Sequence, residues 1–97
     1  MNRTLITGSG SYIPPLVIKN TDFSKHEFYG EDGAPLEASN DNIIAKFQKI
    51  TGIAERRYAL PEQKTSDIAA IAASLAIEDS RIDPESLDLL IVAHNFG

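Results

Sequence analysis

Any chemistry in this chain has to proceed without a thiol, because none of its 97 residues is cysteine. Disulfides, thiolate metal ligands and a cysteine nucleophile are thereby excluded within these residues. His26 and His94 have no partner at metal-ligand spacing, so no metal site is expected. His94 follows an apolar run, and catalytic groups of open α/β sheets collect at such strand ends. A lone histidine there is more often a hydrogen-bonded structural residue. No serine lies in a Gly-x-Ser-x-Gly elbow, and no nucleophile is paired with a base. Asp32-Gly33, next to Glu31, lacks the spaced oxygen ligands of a calcium loop and reads as a solvated turn. Gly8-Ser9-Gly10-Ser11-Tyr12-Ile13 follows a strand-like run, but Ile13 replaces the third glycine of a dinucleotide loop. Pro14-Pro15 then stands where a phosphate cradle needs a helix N-terminus, so a plain turn is expected. Glu55, Arg56 and Arg57 could hold an anion. Alternating along a strand, they are expected to pair with neighbours and blunt an edge. No catalytic residue is assigned.

The elements that would position such groups read as an α/β pattern. Residues 4–7 are a short strand stopped by a tight turn at Gly8-Ser9-Gly10. Pro14-Pro15 forbids helix, and residues 16–18 resume extended structure. Asn20 or Thr21 caps a short helix through Phe23 and as far as Phe28, and residues 29–38 are loop by composition. Ser39 or Asn40 caps a helix carrying Ile43, Ile44, Phe47 and Ile50 on one side, closed by Gly52. Residues 53–60 form a polar-faced strand near an edge. Thr65 or Ser66 caps a third helix, apolar nearly all round and therefore expected to be covered on more than one side, which ends at Arg81. Asp83-Pro84-Glu85-Ser86 supports one short turn. Residues 87–93, Leu-Asp-Leu-Leu-Ile-Val-Ala, read as a strand buried on both faces of a parallel sheet. Such a strand needs a crossover and neighbours, which makes the chain look like part of a larger unit.

Composition narrows the classes further. The length suits no more than one small domain. A formal net charge of −5 with scattered Lys and Arg gives no basic face for phosphates, so no nucleic-acid partner is expected. The apolar runs fall far short of the roughly 20 residues that span a bilayer, and the N-terminus does not read as a signal peptide. No membrane partner and a cytoplasmic location are the expectations.

In order along the chain, residues 5–14, the step Asn20-Thr21-Asp22 and Thr51-Gly52-Ile53-Ala54-Glu55-Arg56-Arg57-Tyr58 resemble the opening of a β-ketoacyl-[acyl-carrier-protein] synthase III. The Ala-rich helix from Thr65 and the strand at 87–93 fall where that family has them. The resemblance covers the chain apart from the loop between Lys25 and Ala38. It implies an α/β, partial thiolase-like fold: a mixed sheet with flanking helices, truncated before the active-site helix. Residues 1–97 would be the N-terminal part of the first of two related halves, an incomplete domain. It also implies an acyltransferase that moves an acyl group from a thioester to a cysteine and condenses it with decarboxylating malonyl-acyl-carrier protein. The cysteine and its His and Asn partners would lie beyond Gly97, so the fragment itself should be inactive. Whether the chain counts as an enzyme is therefore open. Its partners would be the rest of its own chain, acyl-carrier protein and a homodimer mate. The family's coenzyme A contacts include a Trp and an Arg whose aligned positions hold Lys46 and Ile50. Thr51 alone carries over as a cofactor-binding residue. This departure leaves the donor open between coenzyme A and a carrier-protein thioester, with no cofactor held by the fragment alone. The rival expectation is a complete small α/β binding or interaction module without catalysis.

Overall fold

The computed structural model describes residues 2–95. Ser39 starts helix α1 (Asn40–Thr51): its hydroxyl accepts the Asn42 N–H at 3.3 Å, as its place before an apolar periodic run predicts. Asp41 adds negative charge to the first turn, where the helix dipole favours it. Gly52 ends the helix in the left-handed region at φ 71°, and its N–H donates to the Gln48 carbonyl at 2.7 Å. That conformation crowds a Cβ, which is why glycine serves here. Ile43 on α1 is 6% exposed and is the one buried hydrophobic side chain among the described residues.

Two starts share one device. The Lys19 N–H donates to the Asp22 carboxylate at 2.7 Å and opens a 3-10 turn at Asn20–Phe23. The Lys64 N–H donates to Asp67 at 2.7 Å and opens helix α2 (Thr65–Ser80). Both sequences read Lys-x-x-Asp, and the carboxylate three residues on satisfies the otherwise unpaired backbone donor. The caps therefore lie one residue before Asn20 and Thr65. The first turn stops at Phe23 rather than reaching Phe28. Arg81 ends α2 as expected, in the left-handed region at φ 58°, with its N–H shared between the Ile77 and Glu78 carbonyls.

The chain divides into two compact units, Pro15–Tyr58 and residues 2–14 with 59–95. In the first unit, β1 (Leu16–Lys19) pairs antiparallel with β2 (Glu55–Tyr58), placing Leu16 opposite Tyr58 and Lys19 opposite Glu55. β2 is shorter than the expected 53–60 because β1 offers only four partners. The loop at 29–38 folds back on itself: Tyr29 bridges Pro35, and the turn between them places Gly33 at φ 78°.

In the second unit, residues 4–7 and Gly8-Ser9-Gly10 correct the expected strand and turn. Among the described residues this segment has no strand partner and makes no turn. It lies along α2 instead. A methyl group at Gly8 would sit 2.6 Å from the Ala76 carbonyl oxygen, and one at Gly10 2.5 Å from those of Ala72. The Ser9 N–H donates to Asp79 at 3.0 Å, and Tyr12 accepts from Gln63 at 3.0 Å. The glycines are there for close approach to a helix rather than for a bend.

α2 is covered on one stripe only: Thr65, Ile68, Ala69, Ala72, Ala76, Ile77 and Ser80 are half-buried, spaced as one face of a helix. Ile71 and Leu75 are exposed, which corrects the expectation of cover on more than one side. Pro84–Ser86 forms the expected short turn after Asp83, whose carboxylate accepts the Glu85 N–H at 3.1 Å. Residues 87–93 form no ladder among the described residues, and Leu89 and Ile91 are 75% and 82% exposed, against the buried strand expected. A continuous apolar run specifies burial only when a sheet is there to receive it. The chain is thus partly α/β: the described residues hold two α-helices and one two-stranded antiparallel sheet, where a mixed sheet was expected.

Candidate functional site

Thr51 is the last residue of α1 and is exposed. Its hydroxyl donates to the Phe47 carbonyl at 2.7 Å and accepts the Ile53 N–H at 3.2 Å. A hydroxyl has one proton and two lone pairs, so what is left for a ligand is a single acceptor position. Thr51 could meet an amide N–H or a hydroxyl but has no proton free for a phosphate. Lys46 and Ile50 stand four residues apart on the same helix, both exposed, with Ile50 at 69%. Phe47 is half-exposed beside them and lines a shallow apolar depression with Leu36 and Ile43, rimmed by Lys46 and Glu37.

A second arrangement in the same unit centres on Arg56. Its Nη2 donates to Asn20 Oδ1 at 3.0 Å, and its guanidinium carbon stands 5.0 Å from the centroid of the Phe23 ring. The Asn20 amide is held from its other end, donating to Gln48 Oε1 at 3.0 Å and to the Ile53 carbonyl at 2.9 Å. Those two bonds fix which end of Asn20 faces Arg56. A cavity of about 120 Å³ opens beside this group, lined by Asn20, Phe23, Phe28, Ile44, Phe47 and Arg56. Its phenylalanines are linked, Phe28 to Phe47 at 6.2 Å directly and Phe23 to Phe28 through His26, outside the cavity, at 5.8 and 4.9 Å.

The sequence reading named Arg56 but not this setting. The sequence presents Asn20 as a cap candidate and as part of the Asn20-Thr21-Asp22 resemblance, not as a partner of Arg56. The available signal was aromatic density, since three of the chain's four phenylalanines line the cavity. Glu55 and Arg57 flank Arg56 on the opposite face of β2 and are exposed, as an edge strand's charges are. Asp32 caps the turn at Gly33 by accepting the Ala34 N–H at 3.0 Å. The Tyr29 hydroxyl donates to Glu27, which raises the tyrosine above its usual pKa; desolvation adds in the same direction. His94 lines an apolar groove of about 420 Å³ in the second unit with Ala69, Ala73, Leu90 and Val92. Phe96 and Gly97, which follow it, lie outside the described residues. Among the described residues no cluster of three or more His, Cys, Asp or Glu is placed to hold a metal ion. No described helix is long and apolar enough to cross a membrane.

Comparison with known proteins supplies the class. No family model matches the chain. The β-ketoacyl-[acyl-carrier-protein] synthase III of Clostridium acetobutylicum is 43% identical over 93 residues, covering 96% of this chain and 24% of that protein. The protein of the same name from Caldanaerobacter subterraneus subsp. tengcongensis is 40% identical over 88 residues, covering 91% of this chain and 23% of that protein. The chain thus spans about a quarter of the length of these relatives. Its sequence is synthase III-like, and it is consistent with the N-terminal part of such a protein.

Proposed function

We propose that the chain is the N-terminal part of a synthase III-like acyltransferase and catalyses nothing alone. The parent would form a carbon–carbon bond between an acyl thioester and malonyl-acyl-carrier protein, with loss of carbon dioxide, in fatty-acid or related lipid or polyketide synthesis. Identity of 40–43% across nearly the whole chain carries this reading. The absence of any cysteine among the 97 residues supports inactivity, because the acyl group in this reaction needs a thiol acceptor. Exposed apolar residues such as Ile6 and Ile91, at 93% and 82%, favour a thiolase-like sheet completed by more chain over a finished small module. In the parent, acyl-carrier protein and a homodimer mate would be the partners, in the cytoplasm.

Thr51 is the contact proposed for the thioester donor. With only an acceptor position left, it suits an amide N–H of a pantetheine arm, which coenzyme A and carrier protein share. Lys46 and Ile50, in place of an aromatic platform and a guanidinium, favour a donor that does not rely on stacking of an adenine ring. The test has two parts. The reading frame in the source is followed past the codon for Gly97, where a helix bearing Cys, with His and Asn further on, is expected and an immediate stop codon overturns the reading. The pure chain is then incubated with labelled acetyl-coenzyme A and malonyl-acyl-carrier protein. No acyl-protein and no condensed product should form, and turnover would sink the claim of inactivity.

A further inference from the structure

We propose that the cavity beside Arg56 binds a small carboxylate with an apolar body. The inference is independent of the condensing-enzyme reading and uses only the unit Pro15–Tyr58. Arg56 is half-buried, and its contacts are neutral: the Asn20 carboxamide oxygen and the face of Phe23. Among the described residues no carboxylate pairs with it. An arginine withdrawn from water is ordinarily matched by an anion, because neutral partners leave much of its charge uncompensated. The guanidinium carries five N–H donors, of which one is used by Asn20.

Pre-organisation strengthens the case. Asn20 is itself locked by bonds to Gln48 and Ile53, so Arg56 is held in place before any ligand arrives. The remaining wall is apolar: Phe23, Phe28, Ile44 and Phe47. The cavity, about 120 Å³, is small and its wall largely apolar, which suits a short acyl chain or small ring rather than a nucleotide. A cation would be repelled by Arg56, and a neutral apolar molecule would bury the guanidinium unmet. The class left is a compact monocarboxylate, its charge forked on Arg56 and its body against the phenylalanines.

The probe is butyrate, titrated into the 97-residue chain with NMR detection of the Phe23, Phe28 and Phe47 rings and the Arg56 side chain. Butyramide serves as the isosteric neutral control. Saturable shifts at these residues with a Kd of roughly 1–10 mM are expected, with butyramide about tenfold weaker or worse. Arg56→Gln should lose butyrate binding by a similar factor while circular dichroism stays native, and Arg56→Lys should retain part of it. Equal binding of butyramide, shifts that map outside the cavity, no shifts at all, or full binding by a folded Arg56→Gln variant would each overturn the proposal. Should Arg56→Gln fail to fold, the butyrate–butyramide comparison on the unaltered chain still decides it.

Discussion

At the scale of single residues, Asn20 ties together more of its unit than any residue picked out for chemistry. One carboxamide joins the 3-10 turn to α1 through Gln48, to the link before β2 through Ile53, and to β2 itself through Arg56. Asn20→Ala should lower stability by about 1–3 kcal/mol, the sum of lost bonds and unmet partners at a half-exposed site, measured by urea unfolding. Loss within about 0.3 kcal/mol would show that water replaces these bonds at no cost. Sequence alone suggested an N-cap because asparagine before a polar turn usually is one. The actual cap is the backbone of Lys19, and no local pattern reports bonds spanning 28 to 36 positions. Thr51 and Gly52, by contrast, were legible, since a helix end is a local event. Tyr29 offers a pH test at the same scale. Its hydrogen bond to Glu27 favours the protonated phenol, so the folded chain binds that proton more tightly than the unfolded chain. The associated stability is present below the ordinary tyrosine pKa and fades as pH rises through the raised folded value. Ultraviolet titration should show Glu27→Ala lowering the Tyr29 pKa toward the usual range; an unchanged midpoint would remove Glu27 as the cause.

The helices and the β1–β2 pair formed within a residue or two of where the sequence placed them, whereas the strands expected at residues 4–7 and 87–93 did not, for a physical reason that separates the two kinds of element. A helix closes its hydrogen bonds within itself, so local signals bound it: Ser39 and Gly52 for α1, Lys64 with Asp67 and then Arg81 for α2. A strand closes its bonds on a neighbour, and residues 87–93 have none among the described residues. The same holds for residues 4–7, whose apolar run did not report what lies against it. Gly8 and Gly10 carried that information in their spacing of two, facing the alanines of α2. Gly10→Ala should therefore detach or shift the segment, at a cost of about 1–3 kcal/mol. Protease protection of residues 3–11 should fall together with the Tyr12–Gln63 bond. If Gly10→Ala leaves both unchanged, the close approach to Ala72 and Ala76 is not what holds the segment.

For the whole molecule, much apolar surface faces solvent: Leu5, Ile6, Leu89, Leu90, Ile91 and Val92 are all more than half exposed. Extended backbone bearing such side chains is a template for pairing with other chains. The 97-residue chain should self-associate as its concentration rises, seen as a growing sedimentation coefficient, and Ile91→Lys should weaken the effect. A monomer at all concentrations would contradict it. The resemblance to synthase III was legible because it rests on short strings such as residues 51–58 that persist in the amino-acid order. The exposure of residues 89–92 was not legible, since an apolar run reports its own composition and not what lies against it. The segment along α2 has one more implication, for how the chain tolerates change in length. Gly8 and Gly10 work as two teeth of a key, and a one-residue deletion before them would shift neither tooth. Removing Ser9 is different. Either glycine would then leave its slot and bring Ser11 or Thr7 toward gaps of about 2.5 Å that admit no side chain. Ser9 can change identity, since only its backbone N–H engages Asp79, but its place in the count is fixed.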